Sequence, residues 1–371
     1  MTSGTYDAIV VGGGLHGCSV ALHLAQRGLS VLVVEKDTVG RHASGVNAGG
    51  VRRLGRDPAE IPLSQAAMEM WWRIGDWLGD DCGFQVSGQL KVAETAGELA
   101  ELEARARQVA DLGYDHEELV GPDELFRLAP ALARHCTGGL VSRRDGFADP
   151  FRTTRAFMRR AREAGAEFLE GTAVTAIERR GGAWTVRAGE YRLSAANLIN
   201  CAGGWGAGLA AWLDEAVPAE TAAPMLMVTA PLPPFVEPVI GAQGRALSFK
   251  QTGAGTVVIG GGYRARALPE ENRTELDFRE LKLSARTVAE LFPIMRQADI
   301  VRCWAGLEAI TPDGIPVIGP SAREDGLIHL FGFCGHGFQL GPITGRIVAD
   351  LLTSGQTDLP IAPFAVDRFA G

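Results

Sequence analysis

The sequence lacks the marks of several protein classes. None of its six cysteines forms a Cys-x-x-Cys pair, the spacing typical of zinc ribbons and thiol redox motifs. Positive charge is scarce, since 36 Lys and Arg stand against 44 Asp and Glu and give a net charge of -8, whereas nucleic acids attract basic surfaces. No apolar run reaches the roughly 18–20 residues that span a bilayer. We therefore expect no zinc ribbon or other metal site, no nucleic-acid partner and no membrane span.

The cysteine pattern and the N-terminus indicate a compartment. The cysteines show no disulfide-framework spacing, so reduced thiols and a cytoplasmic location are expected. A strand pattern begins at about Tyr6, which leaves no room for a signal peptide. With 371 residues, of which 46% are apolar and 22% charged, the chain has the composition of a folded globular protein, and its length corresponds to about two domains.

Glycine is abundant and clustered, with 48 residues that follow no fixed period, so a repeat protein is not indicated. The first cluster follows an apolar run at 8–11 and precedes a helical pattern that ends at Gly28. A second apolar run at 31–34 then ends in Glu35. Strand, glycine turn, helix, strand and acid in this order are typical of a dinucleotide-binding βαβ unit.

The residue types of this unit suit a pyrophosphate and a ribose. Gly12 permits the tight turn, Gly14 lets the backbone approach the phosphates, and Gly17 lets the helix pack closely on the strand. The free N–H groups at the helix start face the anion, and Glu35 can accept hydrogen bonds from ribose hydroxyls. The unit alone does not choose between FAD and NAD, and a βαβ unit without a ligand is the alternative.

Three further segments favour FAD over NAD. Residues 41–52 form a polar, glycine-rich loop, for which an ordinary surface loop is the alternative. Residues 196–205 have the pattern of a buried strand that leads into a small-residue turn, and 171–177 that of an edge strand whose backbone can meet an adenine ring. Glycine-rich 332–342 precedes a helical stretch at 343–352. A second helix start of this kind suits the electron-rich N1–C2=O edge of a reduced flavin.

Together these segments resemble the D-amino-acid oxidase/glycine oxidase superfamily of FAD-dependent amine oxidoreductases. The resemblance covers nearly the whole chain and is most specific in the N-terminal fingerprint and in residues 44–52, 304–314 and 332–342. In detail the sequence is similar to sarcosine oxidase and to the β subunits of heteromeric proline and opine dehydrogenases. The resemblance implies an α/β (α+β) protein with a glutathione-reductase-like FAD fold, in which a mixed-sheet substrate domain covers a Rossmann-like FAD-binding domain.

The resemblance also implies how the chain divides into domains. The discontinuous FAD-binding domain is expected at residues 1–83, 146–222 and 305–371, and the substrate-binding domain at 84–145 and 223–304. The secondary-structure patterns expected in the second domain are strands at 85–94, 224–229 and 255–260 and an amphipathic helix at 276–291.

FAD is expected to be bound without a covalent link. Monomeric sarcosine oxidase attaches FAD through a cysteine whose matching position here is Gly306. Dimethylglycine dehydrogenase uses a histidine for which residues 44–52 offer no counterpart, although His42 lies close. The residues expected to contact FAD are Gly12, Gly14, Leu15, His16, Gly17, Glu35, Lys36, His42, Ala43, Ser44, Asn47, Ala48, Gly49, Val174, Ala202, Gly203, Trp205, Gly306, Gly332, Gly335, His336, Gly337, Phe338 and Gln339.

The activity that the resemblance implies is oxidation of a C–N bond, in which a neutral amine donates hydride to flavin N5 and becomes an imine. Arg52 is the expected clamp for the substrate carboxylate. The alternative for this residue is a solvated surface arginine beside Arg53. His336 is expected at the flavin edge, as a donor to the flavin or a substrate contact, and the alternative is a turn histidine satisfied by the backbone.

Three more residues are candidates for the substrate pocket. Gln339 stands where sarcosine oxidase has a carboxylate-binding lysine, and a neutral amide there predicts weaker anion binding and a larger or differently charged substrate. Tyr263 and Arg264 follow the strand that is expected over the flavin ring. All three are expected to be substrate-site residues together with Arg52 and His336.

Several departures from the family pattern bear on the reaction. Glycine oxidase has arginines at positions that here hold Glu308 and Gly335, which disfavours glycine oxidase activity. The strand at 257–260 lacks the lysine that promotes oxygen reactivity in sarcosine oxidase. This slightly favours a dehydrogenase that passes electrons to an acceptor other than oxygen. One such assembly is a hetero-oligomer that contains a second dehydrogenase subunit. The alternatives are an FAD-dependent 2-hydroxy-acid or glycerol-phosphate dehydrogenase of the same fold, or a flavin-binding subunit whose active partner lies elsewhere.

Overall fold

The structure, a computed structural model, describes residues 3–369. Its strands are β1 (Ser3–Val11), β2 (Val31–Val34), β3 (Gly50–Val51), β4 (Gln89–Ala93), β5 (Glu118–Val120), β6 (Gly138–Ser142), β7 (Gly146–Phe147), β8 (Glu167–Leu169), β9 (Val174–Arg180), β10 (Ala183–Ala188), β11 (Tyr191–Asn200), β12 (Glu220–Thr229), β13 (Val239–Ala242), β14 (Ser248–Gln251), β15 (Val257–Gly260), β16 (Arg264–Leu268), β17 (Arg273–Glu275), β18 (Ile300–Ala305), β19 (Glu308–Ile310), β20 (Val317–Pro320) and β21 (Leu327–Phe331). Its α-helices are α1 (Leu15–Ala25), α2 (Ala43–Val46), α3 (Ile61–Trp71), α4 (Ile74–Leu78), α5 (Ala96–Asp111), α6 (Pro122–Leu128), α7 (Pro150–Glu163), α8 (Gly206–Ala211), α9 (Phe278–Leu291) and α10 (Gly337–Ser354).

The first sheet carries the glycine turn. Strands β8, β2, β1, β11 and β21 run parallel in this order, and β20 pairs antiparallel with β21. Strands β9 and β10 add an antiparallel meander to the first half of β11. The strand expected within 196–205 is thus central in the sheet, because β11 pairs with both β1 and β21. The edge strand expected at 171–177 is β9, which pairs only with β10 among the described strands.

Helix α1 packs on both α7 and α10 beside this sheet. Helix α10 begins at Gly337, six residues before the start expected at 343. Proline lacks the N–H that forms hydrogen bonds in a helix interior. In the structure Pro342 lies inside the helix, and its carbonyl oxygen accepts hydrogen bonds from Ser19 and His23 of α1. Hydrogen bonds from α1 therefore stabilise α10 at the position of the proline.

The second sheet has the order β17-β16-β12-β15-β14-β13-β4-β6-β5, and β18 and β19 also pair with β12. It is mixed because β13 is parallel to β4. The strands expected at 85–94, 224–229 and 255–260 are β4, β12 and β15, and the expected helix at 276–291 is α9. Strand β19 belongs to this sheet although it follows the predicted domain boundary at 305, so the domain limits stay a prediction.

The two largest of the five apolar clusters in the described residues each support one sheet. One fills the space between the first sheet and helices α1, α3, α7 and α10, and the other lies between the second sheet and α6 and α9. The mixed α/β architecture confirms the expected fold class. Within residues 3–369, no helix combines the length and apolarity that crossing a membrane requires.

Candidate active site

The glycine turn between β1 and α1 leaves no space for side chains at two positions. A Cβ on Gly12 would collide with the carbonyl oxygen of Cys201 in the neighbouring segment, and Gly12 itself has a φ of +108°. A Cβ on Gly17 would collide with the carbonyl oxygen of Gly12. The start of α1 therefore sits tightly against the ends of β1 and β11, as a close approach to a phosphate requires.

Side chains from two loops complete this turn. The carboxylate of Glu35, at the end of β2, accepts hydrogen bonds from the N–H of Gly13 at 2.6 Å and of Asp37 at 2.8 Å. The hydroxyl of Ser44 accepts from the N–H of Leu15, the first residue of α1, at 2.9 Å. A Cβ on Gly14 would lie 2.8 Å from that hydroxyl, which can rotate away. The glycine turn thus presents polar groups and no bulky side chain.

A second group of predicted cofactor residues gathers beyond Glu35. The ammonium of Lys36 lies 3.3 Å from the ring centroid of Trp205, and His42 is 2.8 Å from Asp37. Asn272 joins them, because it accepts a hydrogen bond from Lys36 at 2.6 Å. Asn272 belongs to the segment before β17 in the second sheet, and no sequence pattern near it indicated this contact. Two further predicted residues, Val174 and Ala202, pack on the apolar cluster of the first sheet.

A cavity of about 620 Å³ lies between the two sheets, within the range of about 300–1,000 Å³ that is usual for small-molecule sites. The predicted cofactor residues that line it are Leu15, His16, Ala43, Ser44, Asn47, Ala48, Gly49, Gly203, Gly306, Gly332, Gly335, His336, Gly337 and Phe338. The predicted cofactor residues outside its lining are Gly12, Gly14, Gly17, Glu35, Lys36, His42, Val174, Ala202, Trp205 and Gln339.

The starts of α1 and α10 meet at this cavity. His16 of α1 stacks on Phe333 with ring centroids 3.7 Å apart, and its Nδ1 lies 2.9 Å from the hydroxyl of Thr344 in α10. Burial lowers the pKa of His16 to about 3, so its imidazole is neutral. The first and last helices thus present their positive ends to one space.

His336 caps the start of α10 and is tied to a carboxylate. Its Nδ1 lies 3.0 Å from Oε2 of Glu60, a fully buried residue. Burial lowers the pKa of His336 to about 4 in spite of this contact, so the neutral ring donates from Nδ1 and leaves Nε2 as an acceptor. The alternative of a turn histidine satisfied by the backbone is therefore wrong, since the partner is a side chain that sequence reasoning missed.

Arg52 lines the cavity and is half-buried. One of its guanidinium nitrogens donates to the carbonyl oxygen of Leu54 at 2.6 Å, and burial lowers the pKa of Arg52. Its neighbour Arg53 is buried and paired with Asp145 at 3.1 Å, so it is not a surface residue. Arg52 is thus the member of the pair that faces the cavity.

Gln339 is fully buried and does not line the cavity, which corrects its prediction as a direct substrate contact. Its Oε1 accepts from Ser64 at 3.0 Å and from Arg56 at 3.1 Å. Arg56 does line the cavity, although sequence reasoning passed over it. No sequence pattern distinguished Arg56 from other arginines, and its contact with Gln339 follows only from the packing of α3 on α10.

The two candidates at the start of β16, Tyr263 and Arg264, face different surroundings. Arg264 lines the cavity, and its guanidinium donates to Glu220 at 2.5 Å. Tyr263 does not line it, because its side chain packs against the apolar core of the second sheet. Neighbouring residues of an extended chain face opposite sides of a sheet, so the prediction of a pocket role for Tyr263 is wrong in this structure.

Three other residues around the cavity bear on its chemistry. Burial raises the pKa of Glu308, which lines the cavity, to about 7, although the N–H of Gly335 and the charge of Arg264 oppose the shift. A Cβ on Gly306 would collide with Val46, so position 306 has no space for a cysteine. Strand β15 lacks a lysine, as the sequence shows, but β14 places Lys250 directly opposite Val258.

Lys250 is buried and was not predicted. Its ammonium lies 4.2 Å from the ring centroid of Phe147 and 3.0 Å from where a Cβ of Gly49 would stand. Burial lowers the pKa of Lys250 to about 7, and the charge of Asp149 opposes the shift. The amine is therefore held beneath the loop that lines the cavity.

The fold and this site define a class of protein: a nucleotide-cofactor oxidoreductase in which a glycine turn and a second helix start face one cavity between two sheets. The sequence matches the FAD dependent oxidoreductase family, DAO, over residues 7–351. The chain therefore belongs to this family and is an FAD-dependent enzyme, which confirms the resemblance and the expected cofactor. The tight glycine turn, the acid at the end of β2 and the cavity between the sheets fit FAD.

Three similar proteins illustrate the family. Glycine oxidase from Bacillus licheniformis is 27% identical over 94% of this chain and 93% of its own length. Hydrogen cyanide synthase subunit HcnC from Pseudomonas aeruginosa is 26% identical over 98% of this chain and 96% of its own. The crystal structure of L-proline dehydrogenase from P. horikoshii superimposes with a TM-score of 0.93 and 26% identity, and covers 100% of this chain and 99% of that one.

Proposed function

We propose that this enzyme oxidises the C–N bond of an amino acid or secondary amine that carries a carboxylate. The observation that carries the proposal is Arg52, a cation that lines the cavity without an acidic side chain within 4.0 Å among the described residues. A guanidinium fork matches a carboxylate in two parallel hydrogen bonds. The relatives named glycine oxidase and L-proline dehydrogenase support an amino-acid substrate.

Bound FAD supplies the acceptor for the hydride that leaves the substrate. The predicted cofactor residues keep that role as part of the proposal, with the glycine turn at the pyrophosphate, Glu35 at the ribose, and the start of α10 at the flavin. Binding is proposed to be non-covalent, since Gly306 has no space for a linking side chain.

The chain's own part in the reaction is to orient the substrate and to take a proton. Arg52 fixes the carboxylate, and Glu308 accepts a hydrogen bond or a proton from the substrate nitrogen. A carboxylate whose pKa burial has raised to about 7 can act in both states near neutral pH. The neutral His336 offers Nε2 as a further acceptor at the start of α10.

The test is an anaerobic titration of the purified, FAD-loaded protein, followed by flavin absorbance. Sarcosine, proline, opines and D-amino acids are compared with lactate and glycerol 3-phosphate. Bleaching by one or more of the amines supports the proposal. Bleaching by hydroxy acids or glycerol 3-phosphate alone would establish the other dehydrogenase activity, and a yellow protein that no compound bleaches would indicate a subunit whose active partner lies elsewhere.

The electron acceptor and assembly are also proposals. We propose an acceptor other than oxygen and a hetero-oligomer with a second subunit, which the relative named as a hydrogen cyanide synthase subunit supports. A cytoplasmic location remains a prediction from the cysteine pattern. Oxygen consumption measured against dye reduction, and copurification from the source cells, test the first two points.

A further inference from the structure

Three cations without acidic partners line the cavity: Arg52, Arg56 and Lys91. None of them forms an ion pair within 4.0 Å to an acidic side chain of residues 3–369. Two other arginines on the lining, Arg245 and Arg264, are by contrast paired with glutamates. Among the described residues of the lining, Glu308 is the one carboxylate. The described lining thus carries three cations without an ion-pair partner and one carboxylate, while Glu60, Asp145 and Glu117 act on Arg52 through their charges from outside the lining.

Arg56 is the most strongly constrained of the three. The residue is only 1% exposed, and its guanidinium donates to the carbonyl oxygens of Arg52 at 3.1 Å and His336 at 3.2 Å as well as to Gln339. The remaining nitrogen, Nη1, is buried and has no hydrogen-bond partner among residues 3–369. An unsatisfied buried donor is unfavourable, so an anion in the cavity would remove that penalty.

Glu60 does not fill this place. It is the acid that raises the pKa of Arg56 most, yet its Oε2 is engaged by His336, and its buried Oε1 has no hydrogen-bond partner and forms no pair with Arg56 within 4.0 Å among residues 3–369. The pyrophosphate of FAD does not fill it either, since that group belongs at the start of α1, whereas Arg56 is fastened to the first turn of α10.

Lys91 approaches from the other sheet. It lies on β4, is half-buried, and makes no hydrogen bond within the described part of the chain. Lys91 lines the same cavity as Arg52 and Arg56, and the charge of Arg52 lowers the pKa of both Lys91 and Arg56. The three cations therefore line the cavity from the start of α10, where Arg56 donates to His336, to the second sheet, where β4 carries Lys91.

We propose that the substrate is an amine that carries two carboxylates, such as an N-(carboxyalkyl) amino acid. Arg52 and Arg56 bind the carboxylate nearer α10, and Lys91 binds the second one. This inference rests on the proposed function, because it takes the cavity to be the amine site. It explains how a site with Gln339 in place of a cation still binds an anion, since Arg56 brings a guanidinium to that glutamine.

The test compares two amines that differ in one group, iminodiacetate and N-ethylglycine. With the FAD-loaded protein under anaerobic conditions, we expect half-saturation of flavin reduction at a concentration at least about tenfold lower for iminodiacetate, as one charge-assisted contact provides. Lys91→Met is expected to raise the half-saturation concentration for iminodiacetate about tenfold and to leave the half-saturation concentration for N-ethylglycine unchanged. Lys282→Met on the exposed face of α9 is the matched control and is expected to change neither.

Arg56→Met is expected to weaken the binding of both amines. The FAD content of the variant, measured in parallel, shows whether it folds. If Arg56→Met does not fold, Arg56→Lys, which keeps the charge but removes the fork, takes its place. Equal half-saturation of the two amines in the unmodified enzyme would overturn the inference. So would a Lys91→Met effect of the same size on both, or an Arg56 variant that shifts only the flavin reduction potential.

A non-reacting pair separates this inference from the proposed function. Glutarate and pentanoate have the same chain lengths as the two amines but no nitrogen, and their binding is read from the perturbed flavin absorbance. If no amine reduces the flavin, the proposed function fails, yet tighter binding of glutarate that Lys91→Met abolishes would still support a site for two carboxylates. Equal binding of both acids would reject it.

Discussion

The guanidinium of Arg56 lies 3.1 Å from Oε1 of Gln339, although 283 residues separate them in the chain. Gln339 by itself predicts a site with weakened anion binding. The structure instead couples this amide to a buried arginine that faces the cavity. Helix α10 has a neutral amide at Gln339. The positive charge beside that amide therefore comes from Arg56, in the segment before α3.

Arg52→Met is expected to raise the half-saturation concentration of carboxylated amines by about 10–100-fold, because it removes a charge-assisted pair. FAD content should stay normal, since Arg52 is no part of the glycine turn. Steady-state kinetics with a dye acceptor measure the effect. Arg187→Met, on an exposed face of β10, is the matched control, and an Arg52 variant with unchanged half-saturation for every carboxylated amine would refute the clamp.

Gly14→Val is expected to abolish FAD binding while the protein still folds. The nearest obstacle to its Cβ is the rotatable hydroxyl of Ser44 at 2.8 Å, but the branched side chain would occupy the approach of the phosphates. Flavin absorbance and circular dichroism measure the two properties. Gly97→Ala, in α5 and free of close contacts, serves as the control that keeps FAD. A folded, yellow Gly14→Val protein would contradict the proposed pyrophosphate site.

Glu308→Gln is expected to remove the acidic limb of the pH profile of kcat/KM. In the unmodified protein burial raises the pKa of Glu308 to about 7, so the carboxylate is protonated below that pH and cannot accept a proton from the substrate nitrogen. Activity should thus fall as pH drops through about 7. The variant should be slow at all pH values without that inflection, and an inflection that persists in the variant would assign it to another group.

Lys250→Met is expected to stabilise the protein most at low pH. The folded-state pKa of Lys250 lies near 7 against 10.5 in the unfolded chain, because burial disfavours the charged amine. Between these values the unfolded state binds the extra proton, so the stability of the unmodified protein rises with pH, and below 7 the full cost of burying the charge remains. We expect a gain of a few kcal/mol at pH 6 that shrinks towards pH 10.

Denaturant unfolding at the two pH values measures this effect, with Lys282→Met as the exposed control. A gain that is the same at pH 6 and pH 10 would show that Lys250 is buried without a shifted pKa. A loss of stability at both pH values would mean that the amine has a favourable role in the folded protein.

The sequence carries the local parts of the site. The βαβ unit with Gly12, Gly17 and Glu35 is readable because a glycine turn, a helical period and a strand end all fall within about 30 residues. Helix α9 and strand β12 follow from periodicity in the same way. Family, cofactor and fold class rest on such patterns, and all three are confirmed.

Tertiary structure alone decided the charge balance of the cavity. Tyr263 and Arg264 are neighbours in sequence, yet the alternation of extended chain sends one to the core and the other to the cavity. Arg56, Glu60 and Gln339 acquire their roles only when α3 packs against α10. Local patterns determine which elements form, because they depend on backbone preferences and on burial of one face. The side chains that meet across elements depend on the register of packing, which no single segment encodes.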